Sequence, residues 1–382
     1  MTRFTLFRQP DIFQLANTKT DFKNKEMKTW HSKFSAKRLT ISTCVLFAVL
    51  FLQVNLLWAQ EDMDVGKTGW DVKRPVFAGA CDQGCPWGEL GDFVQESMKP
   101  FGYSVIICRN CNRSYGARLV SEHDFPPPLD DVNIQDGVNV RVNARVDFGV
   151  TSSAMLANSY KGKYNNLRLI AKVEDPFYYL VAVKKELGVK DFAQIKQRQL
   201  PVKIMGSDGS MMAILKFYGI TSEDIKSWGG KMGVSVEEAV KGDFDIVSGF
   251  LASPSLNPES AWWTTISQKY DLYFLEFPEE LLKTIAAQNV DAEMVEVHHS
   301  LLKGVNRRFK TVGRSGEAFF ARNDTPDQAV YDIAKAIDEN RGALKWFIRI
   351  YTYDQKTVWS NFGVPLHPGA EKYYKEVGYM KQ

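Results

Sequence analysis

Residues 146–173 read VDFGVTSSAMLANSYKGKYNNLRLIAKV, and their order decides the class of fold. Residues 146–150 are an apolar β run that ends in the small polar turn Thr151-Ser152-Ser153. A helical stretch through Met155 and Tyr160 follows, and residues 167–173 are β-rich again. Short β runs alternating with amphipathic helices are the signature of parallel sheets covered by helices. Toward the N-terminus the same rhythm predicts a strand at 75–78, a helix at 89–98 with Leu90, Phe93, Val94 and Met98 on one stripe, and a strand at 103–107. Residues 121–143 interrupt it with Pro126-Pro127-Pro128, Asp130-Asp131 and an Asp136-Gly137 turn signal, which makes this stretch a surface excursion or an inserted hairpin.

Toward the C-terminus, residues 178–183 are expected as a separate strand, with the chain crossing to a second lobe near 174–185. Strands at 202–205, 245–247 and 272–275 and helices after Ser210 and at 236–240 would build that lobe. Residues 316–321 read as a return strand. The tail is helical and aromatic, with Asp324-Thr325-Pro326-Asp327 offering N-cap acceptors ahead of 329–340 and helical period continuing over 343–350.

The first fifty-nine residues read as an address. Lys37 and Arg38 form a basic n-region, residues 41–52 an uncharged run, and Leu57-Trp58-Ala59 precedes the polar Gln60-Glu61-Asp62, the pattern of a signal peptide over 37–59. The run is shorter than the ~20 apolar residues a membrane span needs, and Gln53 and Asn55 break it. Residues 1–59 hold nine of the 48 Lys/Arg and three of the 45 Asp/Glu, so the remainder has 39 against 42 and a charge near −3. A mildly acidic exported chain without a basic, aromatic-interleaved run is not read as a nucleic-acid binder. A mature chain from Gln60 to Gln382 exceeds the size at which one core keeps growing, so two lobes are expected.

Four cysteines follow the leader: Cys81, Cys85, Cys108 and Cys111. In an oxidising compartment an even, clustered set is read first as two disulfides, with the pairing open. Four thiolates would also close a zinc tetrahedron, so an exported metal or thiol protein is the competing reading from another class. The histidines His31, His123, His298, His299 and His367 complete no metal shell and no catalytic set, and hydrolase, zincin and P-loop signatures are absent. The chain therefore reads as a binder without cofactor, not an enzyme.

In open α/β sheets ligands sit at the carboxyl ends of strands, beside helix N-termini. The loops in that position single out Asp82 and Trp87, Arg109 and Ser114, Thr151 and Ser152, and from the opposing lobe Ser207 and Ser210 of the Gly206–Ser210 turn. Arg109 offers a bidentate fork for a carboxylate. Phe177, Tyr178 and Tyr179 at the crossing are candidates for the cleft wall or the core, and His367 for a structural turn.

Asp147-Phe148-Gly149-Val150-Thr151-Ser152-Ser153, Asn166-Leu167-Arg168-Leu169-Ile170-Ala171, Gly206-Ser207-Asp208-Gly209-Ser210 and above all Val364-Pro365-Leu366-His367-Pro368-Gly369-Ala370-Glu371-Lys372-Tyr373-Tyr374 resemble the TAXI family of TRAP-transporter solute receptors. The likeness covers most of residues 72–382. It implies an α/β, two-lobed type II periplasmic-binding architecture: a first lobe over 72–177 with the 121–143 excursion inserted, a second over 178–312, and a return strand with C-terminal helices over 313–382 packing on the first. It implies a periplasmic or extracellular receptor that captures a small carboxylate or amino acid and delivers it to ion-gradient-driven TRAP permease subunits. The receptor of an ABC importer shares the fold and differs in its partner. The chain departs from the family at Cys81-Asp82-Gln83-Gly84-Cys85-Pro86-Trp87-Gly88, in place of a Gly-Gly-Thr-Tyr type segment, and at 108–115, in place of a Gly-Ser-x-x-Asn pattern. Two ligand-facing loops are thus rebuilt around cysteines.

Overall fold

A computed structural model of the chain describes residues 68–81, 86–109, 111, 113–126, 133–135, 138–140, 143–252, 260–289 and 291–381. The leader (1–59), Asp82 and Cys85 lie outside the described residues, as does the Ser114 side chain. The strands are β1 Val76–Ala78, β2 Ile106–Ile107, β3 Asn133–Gln135, β4 Val138–Val140, β5 Phe148–Ser152, β6 Leu167–Lys184, β7 Lys203–Met205, β8 Lys231–Val234, β9 Ile246–Ala252, β10 Leu272–Phe274, β11 Glu293–Val297 and β12 Phe309–Arg322. The helices are α1 Pro86–Met98, α2 Arg113–Glu122, α3 Ser153–Gly162, α4 Phe192–Arg198, α5 Gly209–Phe217, α6 Ser222–Ser227, α7 Val236–Lys241, α8 Ala261–Lys269, α9 Glu279–Gln288, α10 Asp327–Glu339 and α11 Pro368–Glu376.

One sheet runs β2-β1-β5-β12-β6-β9-β7-β8, with β10 added to β6 and β11 to β12. In the first lobe β2, β1 and β5 are parallel and β12 closes them antiparallel. In the second, β8, β7 and β9 are parallel and β6 closes them antiparallel. Each lobe therefore takes its antiparallel strand from a segment that also serves the other. Strands β6 and β12 pair with each other at the junction. At ~3.3 Å per residue, β6 extends about 60 Å, enough to traverse both lobes.

Both faces of each sheet half are covered, so successive residues of these strands go to different cores. Phe319 packs with Phe77, Val94, Ile107 and Ile333, while its neighbour Phe320 packs with Ile106, Leu119 and Leu156. In the second lobe Val181 joins Ile204, Leu215 and Leu282, while Leu180 joins Val247, Trp263 and Phe274. Burial on both faces is why these runs are continuously apolar instead of alternating. The two-lobed α/β architecture expected from the sequence is present.

Three local expectations are corrected. The strands expected at 167–173 and 178–183 are one strand, β6. Pro176 does not break it because the β6–β12 register shifts between Arg314 and Gly316, so the missing N–H falls where the ladder is already interrupted. The return strand begins at Phe309, well before 316. Residues 343–350 do not continue in an α-helix: a 3₁₀ turn, Arg341–Trp346, ends in extended Phe347, whose ring packs on Phe93, and the Ile348 amide donates to Glu89. Within 121–143, α2 runs to Glu122 and β3–β4 form a separate antiparallel hairpin. Trp263 is core, stacked on Trp262. His367 caps α11, accepting from the Gly369 amide at 3.2 Å.

Candidate functional site

The site grows from the stretch Gly313-Arg314-Ser315-Gly316-Glu317 on β12. A Cβ on Gly313 would lie 1.8 Å from the Phe177 carbonyl oxygen, and one on Gly316 would lie 2.2 Å from that of Val173. Only glycine allows the two backbones to approach this closely. The bulge between them sets Arg314 opposite Phe177 at the lobe junction.

Arg314 is 3% exposed, and so is Arg349, which arrives from the segment after α10. Arg314 lies 3.2 Å from Asp291, 3.6 Å from Asp175 and 3.6 Å from Glu317; Arg349 lies 3.5 Å from Asp175. Asp175 and Glu317 are fully buried. Charges removed from water this completely persist only when matched by opposite charge. Burial alone would lower the Arg314 pKa, but the carboxylates of Glu317, Asp175 and Asp291 outweigh it and hold the guanidinium above its ordinary range. Burial, reinforced by Glu317 and Asp175, pushes Tyr351 well above the usual phenol range. Among the described residues, Nε and Nη2 of Arg314 make no hydrogen bond.

Aromatic rings enclose this cluster. Arg314 sits 4.6 Å from the Phe177 ring centroid and Arg349 sits 4.8 Å from that of Trp87, distances at which a cation is attracted to the ring quadrupole. Phe250, near the end of β9, stacks on Phe177 at 4.8 Å. The result is a cavity of about 190 Å³. Its wall comes from Trp87 and Arg349 of the first lobe, Phe177, Gly313 and Arg314 of the crossing strands, and Phe250, Asn289, Asp291 and Ala292 of the second lobe.

Of the ligand-contact residues singled out from the sequence, Trp87 is the one that lines this cavity among the described residues. Its Nε1 donates to Glu317 Oε1 at 3.0 Å. Arg109 is buried and ion-paired with Asp92 of α1, tying the end of β2 to that helix. The Thr151 hydroxyl donates to the Met155 sulfur at 3.2 Å, and Ser152 caps α3 by accepting from the Met155 amide. Ser153 donates to Glu293 of β11 at 3.2 Å, and that carboxylate also accepts from the Ser315 amide and hydroxyl. Ser207 is exposed. The start of α5 is filled by Asp208, which accepts from the amides of Ser210 and Met211 and from the Tyr179 hydroxyl. Cys108 and Cys111 form a disulfide buried beneath the β2 loop, and Cys81 is disulfide-bonded as well.

Arg314, Arg349, Asp175, Asp291, Glu317 and Phe250 were not singled out from the sequence. A signal for two of them was present: an arginine and a glutamate three apart, with glycines around them, directly before the apolar run Ala318-Phe319-Phe320-Ala321. Among the described residues, no group of three or more His, Cys, Asp or Glu side chains is arranged to hold a metal ion, and no helix is long and apolar enough to cross a membrane.

The sequence model of the NMT1-like family matches residues 139–378. Among solved structures the chain is similar to a TctC solute binding protein from Polaromonas, with 11% identity, 80% of this chain and 98% of that chain covered, and a TM-score of 0.38. It is similar to IdiA (FutA) of Trichodesmium in complex with iron and citrate, with 12% identity, coverage of 78% and 90%, and a TM-score of 0.36. A further similar structure is an R. palustris protein with adipate, with 13% identity, coverage of 81% and 95%, and a TM-score of 0.34.

Proposed function

The chain belongs to the NMT1-like family, and from that premise we propose that it is an extracytoplasmic solute receptor which closes two lobes on a small organic acid or amino acid and presents it to a transporter. One observation carries this reading: a cavity walled from both lobes and floored by the two strands that cross between them. A ligand seated there touches both lobes at once, so it stabilises the closed arrangement more than any open one. The crossing at Asp175 to Phe177 and Gly313 to Gly316 serves as the hinge, between a lobe over 72–177 and another over 178–312, with 313–382 returning to the first. The leader-like 37–59 segment supports export to the periplasm or cell exterior, and the resemblance of 364–374 to TAXI receptors supports TRAP permease subunits as the partner.

Native mass spectrometry of the purified mature protein, followed by small-angle scattering with and without the molecule it retains, tests the reading. The expected result is a retained small molecule and a smaller radius of gyration when it is bound. No bound mass, together with no thermal shift from any carboxylate or amino acid, would remove the receptor function. Co-purification with TRAP membrane subunits is expected; an ATPase and permease pair instead would reassign the partner to an ABC importer.

A further inference from the structure

The surface of the cavity narrows the class of ligand that fills it, and this step rests on the receptor reading above. The charged residues of its wall keep little surface of their own. Arg314 and Arg349 are each 3% exposed, and Nε and Nη2 of Arg314, Nε and Nη1 of Arg349 and Oδ1 of Asp291 are buried atoms. Arg314 meets Asp291 at 3.2 Å and Arg349 meets Asp175 at 3.5 Å. Both guanidiniums also lie between 4.6 and 5.5 Å from the ring centroids of Trp87 and Phe177. These charges are spent on one another and on the rings, so they add little polar surface to the cavity.

The rings do keep surface. Trp87, Phe177 and Phe250 are only partly buried, and with Ala292 and the bare backbone of Gly313 they make the wall apolar. Phe250 stacks on Phe177 with the planes 15° apart, and Tyr179 packs against Phe250 at 5.1 Å with its plane inclined by 67°. The apolar wall is therefore formed before a ligand enters. It rewards an apolar ligand body and penalises a polar one, whose hydrogen bonds to water would be given up without replacement. Dry apolar cavities of roughly 150 Å³ admit benzene. A cavity of about 190 Å³ has room for a body between an isobutyl group and a phenyl ring. Asn289, an exposed amide in the same wall, marks the polar end: its Oδ1 accepts from the Asp291 amide at 3.0 Å, which leaves Nδ2 to donate to a ligand carboxylate. We propose that the cavity selects a carboxylate with an apolar body of isobutyl to phenyl size, as in leucine, phenylalanine or isocaproate, and discriminates against ligands of the same shape with a polar body.

The test compares near-isosteric pairs that differ in polarity. Leucine against asparagine, and isocaproate against succinamate, are titrated calorimetrically into the mature protein beside phenylalanine. The apolar member of a binding pair is expected to bind roughly tenfold tighter or more, with a negative heat-capacity change between two temperatures. In Phe250→Ala that ratio is expected to fall about threefold or more, because the polar member loses less when the ring is removed. Equal or tighter binding of asparagine or succinamate would overturn the apolar selection while leaving the receptor function intact. If no compound binds but the native spectrum retains a mass, that molecule decides: one without an apolar body overturns the selection, and one with it supports the selection. Absence of binding by every compound, with no retained mass, would overturn both. If Phe250→Ala does not fold, the wild-type pair ratios decide alone.

Discussion

Arg314 is a base held in the interior by acids that come from three places in the chain: Asp175 on β6, Asp291 before β11, and Glu317 three residues after Arg314 on β12. Removing the guanidinium takes away the positive charge shared by three carboxylates, two of them fully buried, which costs far more than the intact cluster contributes. Arg314→Met is therefore expected to lower the unfolding free energy by about 3–5 kcal/mol, read from urea denaturation. His367 supplies the clearest pH dependence. Burial lowers its pKa below the ordinary 6.5, against the attraction of Asp327. A histidine depressed in the folded state binds fewer protons there than when unfolded. Its contribution is complete above about pH 6.5 and is lost as pH falls through the depressed folded value. Denaturation midpoints followed from pH 7.5 to 5 are expected to fall, and His367→Asn to flatten that slope. At this scale the sequence pointed to Trp87 and to the structural role of His367. It did not point to Arg314, because Asp175 and Asp291 are remote in sequence and the local spacing to Glu317 does not by itself distinguish a buried ion pair from a solvated one.

At the scale of elements, the decisive feature is the contact between β6 and β12. Gly313 and Gly316 allow it, and an added methyl group at Gly313 would meet the Phe177 carbonyl. Gly313→Ala is expected to cost about 1–3 kcal/mol by overpacking and to weaken ligand binding in the same protein, since it displaces Arg314. An unchanged melting temperature and unchanged affinity would show that the strands can separate there without consequence. The parallel units were legible where a strand ends in a small polar turn that leads into the next helix, as at Ser152 for α3 and Asp208 for α5; the structure adds capping boxes at Ser235, after β8, and at Thr221, between helices α5 and α6. The length of β6 was not. Asp175-Pro176 looks like a break, and only the partner strand's bulge explains why pairing passes through it. The turn at Gly206–Ser210 reads as an anion nest from its composition, yet the chain's own Asp208 takes the amides.

For the whole molecule, sharing two strands between lobes couples their stability. Separate lobes joined by loops would unfold in two steps, whereas β6 and β12 cannot leave one sheet without disturbing the other. A single transition is expected, with tryptophan fluorescence and far-ultraviolet circular dichroism coinciding in urea; separated midpoints would show that the lobes fold independently. The resemblance of 364–374 to solute receptors and the alternation of strand and helix were readable along the chain because helix periodicity, capping and turn chemistry are local properties. The sequence by itself therefore determined the α/β class, the two-lobed arrangement and the positions of most turns. Only the tertiary structure decided what lines the cleft. Arg314, Arg349, Asp175, Asp291 and Glu317 become a site through burial and mutual distance, and both are properties of the folded chain rather than of any stretch of it.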